Sequence, residues 1–246
     1  MLTWRLEHFA TLDSTSTYCA ERARQGEAAG LAVLADQQTA GRGSRGRQWV
    51  STGGNLYLSV LLRPEGPVSS IGAFPLLAGL ALAKAVRSLL PGPAPAPMLK
   101  WPNDVLMMGA KLAGVLIDAS PLEGRIDWLV IGIGLNLAEA PQVAGRKTTC
   151  LADYGVCVPP YQAAQAVLEA LSQYLAVLHE GGLPAIQSAW LAAAHPVGSP
   201  LVITGNRNLS GTFAGLTAEG ALQLCVENRI ETLQTGDIWL EGQGAG

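Results

Sequence analysis

The chain has 246 residues, of which 49% are hydrophobic and 14% are charged, and its formal net charge at pH 7 is -3. This length allows one large domain or a main domain with a small appendage. The composition excludes an intrinsically disordered chain, and the slightly acidic balance gives no general attraction for nucleic acid.

The sequence gives no sign of a membrane span, a signal peptide or a disulfide scaffold. The longest uncharged stretches, Gly66 to Ala83 and Gly181 to Asn206, contain prolines and lack the ~20 continuous apolar residues of a spanning helix. Four cysteines without a C-x-x-C pair and three histidines in unrelated contexts argue against a zinc site or a Ser-His-Asp triad. We expect a cytoplasmic protein that makes no membrane contact.

The first predicted unit is a strand, a helix and a strand. Residues 2–9 and 31–35 have the pattern of short strands, and Thr17 to Gln25 predicts a helix closed by Gly26. Hydroxyl residues at positions 14–17 precede this helix. One of them is expected to cap it, and the others are available to bond a polar ligand.

A loop rich in glycine and arginine follows, from Gln38 through Trp49 to Asn55. Interleaved guanidinium and backbone N–H groups favour an anion such as a polyphosphate, although a mobile loop without a ligand has the same composition. Three of its glycines also satisfy G-x-G-x-x-G. A dinucleotide site needs a helix to begin at the third glycine, whereas this chain runs into a strand, so we reject that interpretation.

The middle of the chain alternates predicted strands and helices. Asn55 to Leu62 has the period of a half-buried strand, and Gly72 to Leu90 predicts a helix that ends at Pro91. The proline-rich segment 91–97 predicts an extended connection. Further strands are predicted at 112–118 and 126–133, as a hairpin around the turn at 121–124, and a helix is predicted at 162–180. Beyond His195, four short strands are predicted, at 201–204, 211–216, 221–227 and 229–233. With turns such as 205–208 between them, they suggest a small barrel-like appendage.

Three short segments have residues suited to chemistry. In Lys100-Trp101-Pro102-Asn103-Asp104, the proline presents Asn103, which can bond a heterocycle edge, and Asp104, which can hold Mg²⁺ or fix a cation. Lys111 stands at the entrance of an apolar strand and can point into a cleft. Gly132 and Gly134 let a flat ligand lie against their strand. A plain turn, a surface lysine and a strand end are the structural alternatives.

Taken together in this order, the segments QTAGRG, RGRQW, KWPND, KLAGVLID and GIGLN resemble the biotin protein ligases, from about Asp13 to the C-terminus. Lipoate ligases and octanoyltransferases lack that combination. The resemblance implies an α+β fold. Residues 1–195 would form a catalytic domain with a mixed sheet and helices, similar to class II aminoacyl-tRNA synthetases, and residues 196–246 a small SH3-like β-barrel.

The resemblance also implies roles for individual residues. Lys111 and Arg42 would be catalytic, and Asp104 would bind Mg²⁺. Biotin would contact Ser14, Thr15, Ser16, Gln38, Arg42, Gly43, Ser44, Lys111, Gly132 and Gly134. ATP would contact Arg45, Arg47, Trp49, Asn103 and Asn136. Two positions depart from the family pattern: Ser16 stands where asparagine is usual, and Ser44 stands where another arginine is usual.

The implied activity is ATP-dependent formation of biotinyl-5′-AMP, followed by transfer of biotin to a lysine of the biotin carboxyl carrier protein of acetyl-CoA carboxylase or a related enzyme. A lipoate or octanoate ligase and a non-catalytic biotin sensor are the alternatives. The resemblance further implies a homodimer formed through sheet edges. Because the first ligase segment begins at Asp13, we expect no preceding helix-turn-helix domain and no DNA partner.

Overall fold

The computed structural model describes residues 2–204, 208–234 and 236–240. Its elements in chain order are β1 (Arg5–Leu12), α1 (Thr15–Arg24), β2 (Leu31–Gln38), β3 (Leu56–Leu62), α2 (Ala73–Leu89), β4 (Met98–Lys100), β5 (Asp104–Met107), β6 (Ala110–Leu122), β7 (Arg125–Leu135), α3 (Pro160–Ala193), β8 (Pro200–Thr204), β9 (Leu209–Leu216), β10 (Leu222–Val226), β11 (Arg229–Leu233) and β12 (Asp237–Leu240). The α+β class is thereby confirmed.

A seven-stranded mixed sheet organises the first two hundred residues, in the order β1-β2-β3-β7-β6-β5-β4. Only β1 and β2 are parallel, as the α1 crossover between them requires. One face of the sheet packs against α2 and α3 around a large apolar core, and the other packs against α1. The predicted strand-helix-strand unit is confirmed, with Gly26 at a φ of 87° just beyond the helix.

Strand β3 differs from its prediction, because every residue in it is buried instead of alternate ones. Its even-numbered leucine and valine side chains join the α2–α3 core. On the other face, Leu61 packs under α1, and Ser59 meets the hydroxyls of Thr15 and Ser16. A strand at the centre of a sheet covered on both faces cannot expose its polar residues, so Ser59 is enclosed.

The β6–β7 hairpin is longer than predicted and turns at Glu123 and Gly124, which have φ values of 51° and 77°. Two successive positive φ values match the right-handed twist of the paired strands. Helix α3 also continues past its predicted end at residue 180. It is interrupted at Gly182, where φ is 64°, and Pro184 stands in the first turn of the segment that follows, where proline is tolerated.

Strands β8–β12 form a second, antiparallel sheet in the order β11-β10-β9-β8-β12. Four of these strands were predicted, and β12 was not. The predicted turn at 205–208 lies outside the described residues except for Asn208. The predicted domain boundary at residue 195 falls between α3 and β8, and the division into two domains remains a prediction. The apolar core itself continues across that boundary to Phe213 and Ile238.

By length and composition alone, the segment Val68–Leu89 could cross a membrane, whereas the sequence analysis rejected the overlapping stretch from Gly66 to Ala83 as a span. In the fold, 61% of its most apolar stretch is buried inside the protein. Its apolar residues therefore form the core on one face of the sheet, which accounts for its composition.

Candidate functional site

A cavity with an empty volume of about 1000 Å³, including its open mouth, lies between β3, β6, β7, the start of α1 and the glycine-arginine loop. Its lining combines apolar walls with a few converging polar and charged groups, as ligand clefts do. Most of the predicted ligand-binding residues line it, namely Ser14, Thr15, Ser16, Gln38, Arg42, Gly43, Ser44, Arg47, Trp49, Asn103, Lys111, Gly132, Gly134 and Asn136. Arg45 and Asp104 lie beside a neighbouring cavity instead.

One end of the cavity is neutral and polar. Ser14 caps α1 by accepting a 3.4 Å hydrogen bond from the backbone of Thr17, as predicted for this cluster. The hydroxyl of Thr15 lies 3.1 Å from Oε1 of Gln38 and 2.8 Å from the hydroxyl of Ser59. Ser16 contacts the same Ser59 hydroxyl at 3.0 Å. These buried groups form a preorganised set of neutral donors and acceptors.

The glycine-arginine loop folds back on itself as a narrow hairpin. Arg42 and Gln48 form a bridge, and the backbone N–H of Trp49 donates to the carbonyl of Gly41 at 2.9 Å. A Cβ added at Gly41 would stand 2.5 Å from the carbonyl oxygen of Trp49, so only glycine permits this close approach. The loop thus carries Trp49 and the arginines back over the cavity.

Two of the loop's arginine side chains have defined polar partners. Arg42 makes two hydrogen bonds to the carboxylate of Asp118 on β6, at 2.6 and 3.2 Å. Arg47 donates to the hydroxyl of Ser44 at 2.9 Å. Ser44 lies at the junction of the main cavity and the neighbouring one, and Arg47 lines both. At position 44, where the family pattern has another arginine, this chain therefore has a hydroxyl that orients the guanidinium of Arg47.

Trp49 lies flat against strands β6 and β7. Its ring approaches Gly134 so closely that a Cβ there would stand 2.4 Å from ring atoms, and at Gly114 the corresponding distance is 3.2 Å. The ammonium of Lys111 is 5.4 Å from the ring centroid. In this conformation the indole occupies the space beside Gly134, and the binding of a flat ligand against the glycines of β7 stays a prediction.

The turn after β4 places Asn103 against strand β6. Asn103 donates from its side-chain amide to the carbonyl of Val115 and accepts from the Val115 N–H at its backbone carbonyl, at 2.9 Å. Asn136 is buried, and its amide donates to the carbonyl of Thr149 at 3.0 Å. Both side chains line the cavity, but their NH₂ groups hold neighbouring backbone. A role in bonding adenine through those same hydrogens is therefore not supported by this conformation.

Asp104 is shared by two lysines. Its carboxylate lies 2.6 Å from the ammonium of Lys111 and 3.4 Å from that of Lys100. Burial would raise the pKa of Asp104, but the two ammonium groups outweigh burial and lower it. Burial lowers the pKa of Lys100, and Lys111 and Arg146 add to that effect against the opposing influence of Asp104. Of the two functions proposed for Asp104, fixing a cation is the one that the geometry supports.

A magnesium site made by the protein alone is not supported. Among the described residues, no three histidine, cysteine, aspartate or glutamate side chains are close enough together to hold a metal. The carboxylate of Asp104 is already neutralised by two ammonium groups. The assignment of Mg²⁺ to Asp104 therefore does not fit this arrangement.

Sequence reasoning missed several residues that build the site. Ser59 lies under the hydroxyl cluster and Asp118 pairs with Arg42, while Arg146 and Thr148 line the cavity from the segment after β7. This segment is bound to the backbone of Lys111. The N–H of Lys111 donates to the carbonyl of Lys147, and the N–H of Thr149 donates to the carbonyl of Lys111. Nothing in local spacing indicated these contacts.

Comparisons with known proteins find relatives over most of the chain. Residues 8–136 match the model of the biotin/lipoate A/B protein ligase family. The biotin–[acetyl-CoA-carboxylase] ligase of Paracoccus denitrificans is 36% identical over 85% of this chain and 90% of its own length. The Mycobacterium tuberculosis protein of the same name is 33% identical over 96% of this chain and 89% of its own.

The fold is similar to a solved structure with ligands. The biotin protein ligase from Aquifex aeolicus in complex with biotin and ATP superposes with a TM-score of 0.79 and 28% identity, over 96% of this chain and 98% of that one. The motifs, the cavity and these likenesses together show that the chain belongs to the biotin/lipoate A/B protein ligase family.

Proposed function

We propose that the protein is a biotin protein ligase, which joins biotin to AMP and transfers it to one lysine of a biotin carboxyl carrier protein. The observation that carries the proposal is the polarity of the cavity: neutral hydroxyls and an amide at one end, and Lys111 with arginines at the other. Biotin has a neutral, polar ureido ring and a carboxylate. The ligase names of the relatives, and the biotin and ATP bound to the similar structure, support the same substrates.

In this proposal the ureido ring of biotin meets Ser14, Thr15, Ser16 and Gln38, above the hydroxyl of Ser59. Gly132 lets the hydroxyl of Ser16 lie against β7, because a Cβ there would stand 2.3 Å from that hydroxyl. The carboxylate then points along β7 towards Lys111, with Arg42, Gly43 and Ser44 on the loop side.

ATP would enter from the other end. Trp49 offers a flat face to the adenine, bordered by Asn103 and Asn136, and Arg45 and Arg47 lie beside its phosphates. Since the described residues do not form a metal site, we expect Mg²⁺ to arrive bound to the triphosphate, as part of the substrate.

The reaction needs two anions to approach. An oxygen of the biotin carboxylate attacks the α-phosphorus of ATP, pyrophosphate leaves, and a mixed anhydride remains. Lys111 and Arg42 offset the repulsion and stabilise the charge on the phosphate oxygens. The neutral amine of the acceptor lysine then attacks the carbonyl carbon, AMP leaves, and an amide is formed. Until then the loop over the cavity shields the anhydride from water.

The test is exchange of labelled pyrophosphate into ATP by the purified protein with MgATP and biotin, lipoate, octanoate or no acid. We expect exchange with biotin alone. Exchange with lipoate or octanoate would instead support the lipoate-type activity that the family also contains. Binding of biotin without exchange would identify a sensor.

Three further expectations belong to this proposal. These are a class II synthetase-like catalytic domain with an SH3-like C-terminal barrel, a homodimer formed through a sheet edge, and location in the cytoplasm beside ATP and the acceptor. Strands β1 and β4 are the edges of the large sheet. Analytical ultracentrifugation with and without biotin and ATP tests the dimer.

A further inference from the structure

Trp239, on the second sheet, touches two cations that belong to the catalytic part of the chain. The guanidinium carbon of Arg146 lies 5.1 Å from the centroid of its ring, and the ammonium of Lys100 lies 5.8 Å from it. Both distances are within the range of attraction between a cation and an aromatic face. Two charged side chains that are far apart in sequence therefore meet on one indole.

The indole is itself firmly placed. Strand β12 pairs with β8, with Trp239 opposite Val202, and the ring N–H donates to the hydroxyl of Thr204 at 3.0 Å. The preceding carbonyl, that of Ile238, accepts a 3.0 Å hydrogen bond from the ammonium of Lys100. Lys100 is thus held by both the ring and the backbone of β12.

Both cations lie close to Lys111, at the end of the cavity where the phosphates would bind. Lys100 shares Asp104 with Lys111. Arg146 lines the main cavity and also a smaller adjacent one, whose wall contains both lysines, Asp104 and Trp239. A movement of Trp239 would therefore change the position of Lys100 and Arg146, and through Asp104 that of Lys111.

We propose that Trp239 is a positioning residue that holds Lys100 and Arg146 at the phosphate end of the site. The proposal rests on the proposed ligase function. Lys100, Lys111 and Arg146 lie around the carboxylate of Asp104, and their like charges repel one another. The π face of Trp239 supplies additional negative potential without adding an anion that would repel the nucleotide. The second sheet thereby takes part in nucleotide binding.

The kinetic test compares Trp239→Leu and Trp239→Phe with the wild type in the pyrophosphate exchange assay. For Trp239→Leu we expect KM for ATP to rise about fivefold or more, while KM for biotin rises much less, because the ring faces the cations and not the hydroxyl cluster that would hold most of biotin. Trp239→Phe keeps an aromatic face and should recover most of the loss. Thr204→Val removes only the hydrogen bond to the ring, which the pairing of β12 with β8 still holds, so KM for ATP should rise less than in Trp239→Leu.

Equal losses in the Leu and Phe variants, or a parallel rise in both KM values, would overturn the proposal, since either result indicates general damage to packing. Thermal unfolding of each variant shows whether it is folded at the assay temperature. The Trp239→Leu and Trp239→Phe variants are compared at a temperature well below the unfolding temperature of both.

A second measurement needs no activity. Arg146 and the exposed Lys147 are trypsin sites on one segment, and cleavage there can be followed by mass spectrometry without any substrate. We expect cleavage about two- to fivefold faster in Trp239→Leu than in Trp239→Phe. Equal rates would contradict the positioning claim. If the wild type shows no exchange with any acid, the proposed function fails while this result still decides whether Trp239 holds Arg146.

Discussion

The ammonium of Lys111 lies 2.6 Å from the carboxylate of Asp104, and the same carboxylate accepts Lys100 from its other side. Asp104 is almost fully buried, whereas the side chain of Lys111 retains 21% of its exposure at the cavity wall. The ion pair with the buried Asp104 therefore fixes the ammonium of Lys111 at the wall of the cavity. Lys100 would still neutralise Asp104 if Lys111 were removed.

Replacing Lys111 by alanine should abolish adenylation without unfolding the protein. A positioned cation that stabilises a charged transition state contributes on the order of 100-fold or more to the rate. We expect pyrophosphate exchange to fall by at least that factor, while the circular dichroism spectrum and the melting temperature change little. Unaltered exchange in a folded Lys111→Ala protein would remove Lys111 from the mechanism.

Asp104→Asn should destabilise the protein itself. Two ammonium groups would lose their common counterion, and Lys100 is nearly as buried as Asp104. Removing one partner of a buried ion pair typically costs about 3 kcal/mol or more. Urea unfolding at pH 7 measures this cost. Asp118→Asn is the matched control: its partner Arg42 is 45% exposed, so solvent screens the pair and the loss should stay below about 1 kcal/mol.

Local patterns were sufficient to predict the parts of the fold that depend on local physics. The cap at Ser14, the end of α1 at Gly26 and the hairpin turn after Leu122 follow from side-chain hydrogen bonds and positive φ angles. Each of these features involves residues only a few positions apart.

The contacts that complete the site could not be predicted in this way. Arg42 and Asp118 are 76 positions apart, and Ser59 was assigned to the polar face of a half-buried strand. Trp239 reaches Lys100 only because β12 returns to pair with β8. Such contacts depend on strand order and on which face each helix covers, and a single sequence contains no local signal for either.

Ser44→Arg should strengthen retention of the adenylate. Ser44 occupies the position where the family pattern has an arginine, and its hydroxyl is engaged by Arg47. A charge-assisted hydrogen bond to the phosphate would slow release of the adenylate about 10- to 100-fold. After the adenylate is formed and the protein is desalted, the retained fraction is measured over time. Equal retention by the wild type would indicate that Arg47 already replaces the missing guanidinium.

His195 should make stability depend on pH between about 6.5 and 4. It is only 2% exposed, lies between Trp190 and Phe213, and neither ring nitrogen has a hydrogen-bond partner of standard geometry in the described part of the chain. Burial lowers its pKa to about 4, Lys100 adds to this, and the carbonyl of Leu99 opposes it. The folded protein therefore keeps this imidazole neutral where the unfolded chain protonates it.

Above pH 6.5 the imidazole of His195 is neutral in both the folded and the unfolded protein, so the folded state has its full stability. As the pH falls towards 4, the unfolded chain binds a proton that the folded chain does not, so the free energy of unfolding decreases by up to about 3 kcal/mol in total. We expect urea unfolding at several pH values to show this decrease in the wild type and a smaller one in His195→Leu, whose side chain is of similar size and cannot titrate. Parallel curves for the two proteins would mean that His195 finds a polar partner in solution and that the acid sensitivity arises elsewhere.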